Sequence, residues 1–313
     1  MMGDKSAIEW TDATWNCLLG CSRVSAGCAH CYAELLAYRL ARMGNPNYAG
    51  LTKKVGNDIR WTGEVRFVEE ALDLPLRWKR PRRIFVNSMS DLFHEKVEDY
   101  WQDQIFAVIA LAHQHTFQIL TKRPERMLAY LNDEAVRERI DVFMWEQIER
   151  RVDPGARRRD DIRATAPDLD ETWPLPNVWL GVSVEDQATA DERIPLLLQT
   201  PAAVRWISYE PALGPVDLRP FLWKIDDLAG DLRVDWVVIG GESGPGARPF
   251  DLAWARRAIA QCRAAGVPVF VKQLGAQPFY RIPEGTAGLG LRDRKGGSME
   301  EWPDDLRVRE FPK

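Results

Sequence analysis

The chain carries no excess of basic charge: 42 Lys and Arg stand against 46 Asp and Glu, a net charge of −4 over 313 residues. Whole-chain electrostatics therefore do not announce a nucleic-acid binder, and a local basic groove stays open. Long hydrophobic runs are missing too. No stretch approaches the ~18 apolar residues that span a bilayer. The opening residues, MMGDKSAIEW, lack the apolar core of a signal peptide. The expectation is a cytoplasmic protein with no membrane partner. No phosphate-cradling P-loop and no nucleophile–base pair is visible, so hydrolysis or group transfer by acidic side chains ranks last among the functions considered. Histidine is scarce, four in all, and cysteine numbers only five.

What is there is ordinary in bulk and unusual in one place. Apolar residues make up 45% and charged residues 28%, as in soluble globular proteins. The length suits one large or two ordinary domains with a substantial core. The unusual place is the N-terminal region, where Cys17, Cys21, Cys28 and Cys31 lie within 15 residues while Cys262 stands alone. In a cytoplasmic chain, clustered cysteines point to a metal or redox site before a disulfide.

A second pattern runs the length of the chain. Short β-branched or aromatic runs end in polar residues and lead into helix-like stretches: RIFVNSMSD (83–91), TFQILTKRP (116–124), NVWLGVSVED (177–186), AVRWISYEP (203–211), DWVVIGGES (235–243) and VPVFVKQLG (267–275). Their apolar residues fall on both alternations, as in parallel strands covered on both faces. Amphipathic stretches at Asp99–Gln114 and Leu252–Ala265 lie between them. The spacings of 33, 61, 26, 32 and 32 residues centre on one βα repeat of about 30. A seventh strand fits at Thr14–Asn16. The predicted fold class is α/β: a full or partial (β/α) barrel of the TIM type, with a doubly wound open sheet as the alternative.

The barrel-like domain is expected over residues 1–275, with a cysteine loop at 16–34 and a charged helical insertion at 132–176 that accounts for the long spacing. Ile140, Phe143, Met144 and Ile148 have helical spacing there. The Arg157–Arg158–Arg159 run is followed at once by Asp160 and Asp161, which favours a solvated excursion over a nucleic-acid patch. Residues 276–313 read as a loop-rich C-terminal extension.

The cysteine loop precedes a helix whose apolar positions include Leu35, Leu36, Tyr38, Leu40 and Met43. Cys28 and Cys31 are three apart, so both thiolates can address one centre where the loop enters the helix. A helix N-terminus favours the thiolate form. Gly20 and Gly27 each precede a cysteine, as sharp turns around a metal would require. A 4Fe–4S cluster, a structural zinc ion and no metal at all are the three readings. Three ligands would leave one iron open, whereas four would close the site.

The segments IEWTDATWN, GCSRVSAGCAHCYAE, VNSMSDLFHE, FQILTKRPERM, NVWLGVSVEDQ, RWISYEPALGPV, VIGGESGPGARP and VFVKQLG resemble the phage-associated three-Cys-motif family. That family is a domain of unknown function found in phages and bacteria and described as radical-SAM-like. The resemblance runs from about Ile8 to Gly275. It implies that Cys21, Cys28 and Cys31 are the cluster ligands. Family members more often carry proline at the Cys17 position, so Cys17 reads as an extra cysteine, with a four-thiolate site as the alternative. The likeness to radical S-adenosylmethionine enzymes proper is weaker, since those use Cys-x3-Cys-x2-Cys and here the first gap is six residues. It implies that an open iron binds the amino and carboxylate groups of S-adenosylmethionine, that one electron cleaves the S–C5′ bond, and that a substrate hydrogen is then abstracted. His30, directly before the last cysteine, would pack near the adenine; a solvent-exposed loop histidine is the other reading. Phage occurrence implies nucleic-acid or nucleotide modification or repair, with a protein partner also conceivable. The rival function is a non-catalytic binding protein, stapled by zinc or a closed cluster, that engages nucleic acid or a protein partner.

Ligands of parallel α/β folds bind at the carboxyl ends of the strands, and every expected strand here ends in polar residues. Asn87, Ser88 and Asp91 close one, with Asp91 also suited to capping a helix at Leu92. Thr121, Lys122 and Arg123 close the next, a Lys–Arg pair suited to a carboxylate or phosphate. Ser183 and Glu185, then Glu210, follow. Gly240, Gly241, Glu242 and Ser243 come after WVVI, where the glycines would let a ligand approach the backbone. A Gly-Gly-Glu motif touches the methionyl amino group in radical enzymes, though after an early strand. Lys272 and Gln273 complete the set. Glu185, Glu210, Glu242, Lys122 and Lys272 are therefore candidate cofactor-binding groups in a shared polar cavity, or members of a Lys–Glu network that holds the loops. His113 and His115 read as structural, His94 as a lone histidine near the strand ends and Cys262 as core. Trp179, Trp206, Trp236 and Trp254 read as packing, and Trp10 and Trp15 as shields of the cysteine segment.

Overall fold

The computed structural model describes residues 6–151, 166–223 and 232–313. All seven expected strands are present: β1 (Ala13–Trp15), β2 (Arg83–Val86), β3 (Thr116–Thr121), β4 (Val178–Val184), β5 (Val204–Tyr209), β6 (Trp236–Gly240) and β7 (Val269–Gln273). They form one sheet in the order β1 through β7. The ladders β1–β2, β2–β3, β5–β6 and β6–β7 are parallel. The order follows the chain and never reverses. A doubly wound sheet needs a reversal point, so that alternative does not apply. β6 is buried at all five residues, as a strand covered on both faces must be.

Helices lie between most successive strands, with two between β3 and β4: α1 (Tyr32–Arg42), α2 (Asp99–Leu111), α3 (Pro124–Leu131), α4 (Val136–Arg151), α5 (Gln187–Gln199) and α6 (Leu252–Ala265). The start of α6 is fixed by Asp251, whose side chain accepts from Ala253 N, and its end by Gly266 at φ 65°. Among the described residues no helix is long and apolar enough to cross a membrane.

The chain divides into two compact units. One comprises Met1–Ser22, Ala33–Leu180 and Thr200–Ala203; the other comprises Arg23–Tyr32, Gly181–Gln199 and Val204–Lys313. In the first, Trp15 is fully buried, donates through Nε1 to Ala71 O at 2.8 Å and meets Phe117 edge-on. α2 is buried at every residue from Gln102 to Leu111, with Ile105, Phe106, Val108 and Ile109 in the core, and packs against α4. The excursion at 132–176 is thus not simply solvated. Ile140, Met144 and Ile148 of α4 are buried core residues. The Arg157–Arg158–Arg159 run with Asp160 and Asp161 lies outside the described residues.

In the second unit, the buried indoles of Trp206 and Trp236 lie 5.4 Å apart. A side chain at Gly181 would meet the Trp206 indole at 2.5 Å, which explains the glycine inside the WLGV strand. The C-terminal extension is more regular than expected. Pro278–Ile282 and Gly285–Gly288 pair as an antiparallel hairpin. Residues 308–310 run beside β7, with Val271 N donating to Val308 O and Glu310 N to Val269 O. An edge strand that would otherwise show unpaired backbone groups is thereby covered.

Candidate functional site

β1 hands the chain directly to the cysteine loop, and the first unit braces the start of that loop. Asn87, just past β2, adopts φ 60°, a left-handed conformation that asparagine tolerates better than most residues. Its Oδ1 accepts from Leu18 N at 3.2 Å and from Cys17 Sγ at 3.8 Å. Asn87 therefore spends its acceptor on the loop and not on a ligand, while its Nδ2 is buried with no hydrogen-bond partner among the described residues. Asn16 Oδ1 accepts from Ser88 Oγ and Met89 N, both at 3.1 Å. Gly20 has φ 93°, and a Cβ there would sit 2.1 Å from Glu64 O, so the turn before Cys21 admits only glycine.

Cys17 and Cys21 differ sharply. Cys17 is fully buried, and burial pushes its thiol far above the ordinary range. A thiol kept neutral by burial is a poorer metal ligand than one that ionises readily. Cys21 is half-buried and lies 3.4 Å from Ser22 O and 3.8 Å from Arg123 Nη1.

Arg123, at the end of β3, organises this region. It donates to Asp91 Oδ2 at 3.0 Å, to Glu95 Oε2 at 3.0 Å, to Ser22 Oγ at 2.7 Å and to Ser22 O at 3.2 Å. Burial alone would lower its pKa, but Asp91, Cys21 and Glu95 outweigh that and hold it above the usual value. Asp91 caps no helix. Its carboxylate accepts from Phe93 N, Thr121 Oγ1, Lys122 N and Arg123, fixing a turn and balancing the guanidinium at once. His94 is completely buried. Its Nδ1 accepts from Lys96 N at 3.1 Å, which places the proton on Nε2, 3.0 Å from Ser22 Oγ. Burial lowers its pKa to about 4, with Arg123 adding to the effect. Ser22 in turn donates to Glu95 Oε1 at 3.0 Å.

The second unit contains the remainder of the loop. Ala26–Cys28 is a 3-10 turn, and α1 begins one residue after Cys31. Ser25 Oγ lies 3.9 Å from Cys28 Sγ and donates to Glu185 Oε1 at 2.8 Å. Glu185 is buried against Arg193 of α5 at 3.4 Å, and Arg193 also donates to Ser183 O at 2.7 Å. His30 Nδ1 lies 2.9 Å from Glu242 Oε2. Arg248 donates to that carboxylate from its backbone N and its guanidinium, and reaches Ala26 O at 3.0 Å. Burial raises the Glu242 pKa, but the hydrogen bonds from Arg248 and His30 outweigh it and bring it to about 2.

A third set lies at the ends of β5, β6 and β7. Lys272 Nζ is 2.7 Å from Glu210 Oε1, and Gln273 Nε2 donates to the same oxygen at 3.1 Å. The glycines of the Gly240–Gly241 pair are not open to a ligand. A Cβ at Gly240 would meet the Glu210 carboxyl carbon at 3.0 Å, and one at Gly241 would meet Leu274 O at 2.5 Å. Their smallness serves packing within the chain.

Each carboxylate named from the sequence at a strand end therefore has an internal cation: Glu185 has Arg193, Glu210 has Lys272 and Glu242 has Arg248. Glu242 and His30 come together, whereas Glu210 and Lys272 form a separate pair. Lys122 uses its backbone N on Asp91, and Ser243 is half-buried beside Glu242. Ser22, Ser25, Glu95, Arg193 and Arg248 were not among the sequence candidates. His115 is buried and bonded to Pro75 O, and Cys262 is buried on α6 with its thiol raised to about 12 by burial. Both are structural.

No disulfide joins any of the five cysteines. Among the described residues, no three His, Cys, Asp or Glu side chains are gathered into a metal cage. The donor chemistry nonetheless fits a soft metal: three half-buried thiols on one loop, with the fourth withdrawn into the core.

Fold and site together define a parallel α/β protein whose first strand leads into a braced, cysteine-rich loop. The chain belongs to the family described as "Protein of unknown function (DUF5131)", which matches residues 5–301. No curated protein and no solved structure matches it.

Proposed function

We propose that the protein is an iron–sulfur enzyme of the radical S-adenosylmethionine type on a partial (β/α) barrel, with Cys21, Cys28 and Cys31 as cluster ligands. The observation that carries this reading is the separation of Cys17 from the other three: it alone is fully buried and bonded to Asn87. Three thiolates would hold the cluster and leave one iron for S-adenosylmethionine. When bound, such a cluster supplies the electron for reductive cleavage of the sulfonium S–C5′ bond. The sequential parallel order of the strands and the position of the loop directly after β1 support the same class.

The chain's own residues divide the remaining work. Glu242, held by Arg248, fixes the His30 ring through Nδ1. The imidazole, 38% exposed, then offers a face on which an adenine can stack. Glu185 holds Ser25 beside Cys28, and Arg123 holds Ser22 beside Cys21. The proposed substrate class is nucleic acid or a nucleotide, which rests on the resemblance to phage-associated proteins. A second reading draws support from the internal pairing of Glu185, Glu210 and Glu242. In that reading the loop carries zinc or a closed cluster and the protein binds nucleic acid or a protein partner without catalysis.

Anaerobic purification and reconstitution, followed by incubation with S-adenosylmethionine and dithionite, separates the two. Iron, absorbance near ~400 nm and release of 5′-deoxyadenosine are expected. Stoichiometric zinc without cleavage would establish the second reading.

A further inference from the structure

We infer that Arg123 is a positioning residue that sets the reduction potential of the proposed cluster through Cys21. The inference rests on the iron–sulfur reading above. Its observations are independent of the loop spacing that suggested that reading.

Arg123 is buried and fully engaged. Two of its nitrogens are tied to Asp91 and Glu95, and a third to the backbone oxygen and hydroxyl of Ser22. A guanidinium is planar, so anchoring three corners fixes the direction of the remaining N–H. That direction includes the Cys21 sulfur, 3.8 Å from Nη1. Lys96 N donates to His94 Nδ1 and so fixes the tautomer, and His94 Nε2–H in turn holds Ser22 Oγ. The Cys21–Ser22 backbone is thereby locked against the guanidinium. Among the described residues, Asp91, Glu95, His94, Ser22 and Cys21 face Arg123.

Reduction adds one negative charge to a cluster. A fixed cation and N–H donor at a ligand sulfur stabilise the reduced form more than the oxidised one and raise the potential. Ser25, beside Cys28, offers only a neutral hydroxyl. The charge-assisted contact at Cys21 is supplied by Arg123.

The test is an anaerobic redox titration of the reconstituted full-length protein, read by optical and paramagnetic signals of the cluster. Asp91→Asn is compared with Asp91→Asn/Arg123→Gln, which removes the cation and its buried counter-ion together. The double variant is expected to reduce at a distinctly more negative potential than Asp91→Asn while keeping its iron content. Arg123→Lys, which keeps the charge beside Asp91 but loses the planar fork, is expected between wild type and the double variant. Equal midpoints for the double variant and Asp91→Asn would overturn the inference. If the double variant takes up no iron, Arg123→Lys decides: a wild-type midpoint there overturns it and a negative shift supports it. Failure of the wild-type chain to form any cluster would instead overturn the underlying reading, which keeps the two failures apart.

Discussion

Two serine–carboxylate–arginine sets stand beside two cysteines, and they are built differently. In the first unit, Ser22 bridges Glu95 and Arg123, and Arg123 also reaches the Cys21 sulfur. In the second, Ser25 bridges Glu185 and Cys28, while Arg193 stops at Glu185 and Ser183 O. A positive charge meets sulfur in one case and a neutral hydroxyl in the other. Similar residue types therefore give the two cysteines unlike electrostatic surroundings. The loop also has a backbone anchor in each unit, Arg123 on Ser22 O and Arg248 on Ala26 O. Of these two, Arg123 is the more deeply buried, at 10% side-chain exposure against 29%.

The largest effect should come from breaking the buried anchor. Arg123→Ala leaves Asp91 with an uncompensated charge in the interior and should cost about 3–5 kcal/mol in urea unfolding. Arg248→Ala should cost about 1–2 kcal/mol, because water can partly replace the lost donors. Equal costs would remove the contrast between the anchors.

Glycine substitutions compare two neighbours in the second unit. Gly241→Ala drives a methyl into the backbone at Leu274 and should cost about 3 kcal/mol, whereas Gly240→Ala presses on the movable Glu210 side chain and should cost about 1 kcal/mol. Thermal unfolding of both variants checks the order. A ligand-binding role for Gly240 would appear as lost binding without lost stability.

The pH dependence also separates the two regions, with a group in the first responding in a higher window than a group in the second. His94 has a folded pKa of about 4 against an ordinary 6.5. The unfolded chain binds the extra proton between those values, so this stabilisation is complete above about 6.5 and is lost as pH falls toward 4. Glu242 has a folded pKa of about 2 against 4.5. Its contribution is complete above about 4.5 and is lost as pH falls toward 2. Stability measured against pH should lose the upper step in His94→Gln, and the lower step should shrink but persist in Glu242→Gln, because Glu95 is also brought to about 2. A His94→Gln profile with its upper step intact would show that His94 is not the group responsible.

The sheet was legible because its signal is redundant. Each strand, from RIFV to VFVKQ, combines apolar alternation on both faces with a polar terminus, and the repeat spacing locates the next one. The strand-end carboxylates were legible for the same reason, since Glu185, Glu210 and Glu242 follow apolar runs directly. Their partners were not. Ser22 and Ser25 look like any loop serine. Arg193 lies two helical turns beyond Glu185, a spacing that carries meaning only once α5 is known to start at Gln187. The division into units was hidden as well. It passes through the cysteine loop at Ser22–Arg23 and through β4 at Leu180–Gly181, where composition does not change. The Gly240–Gly241 pair misled because close packing and ligand approach demand the same small residue.

The central claim is that three of the four clustered cysteines hold a cluster and Cys17 does not. Iron per chain after anaerobic reconstitution, compared between Cys17→Ala and Cys28→Ala, tests it most directly. The account predicts about four iron atoms per chain in Cys17→Ala and almost none in Cys28→Ala. Equal iron loss in both variants, or zinc in place of iron, would contradict it.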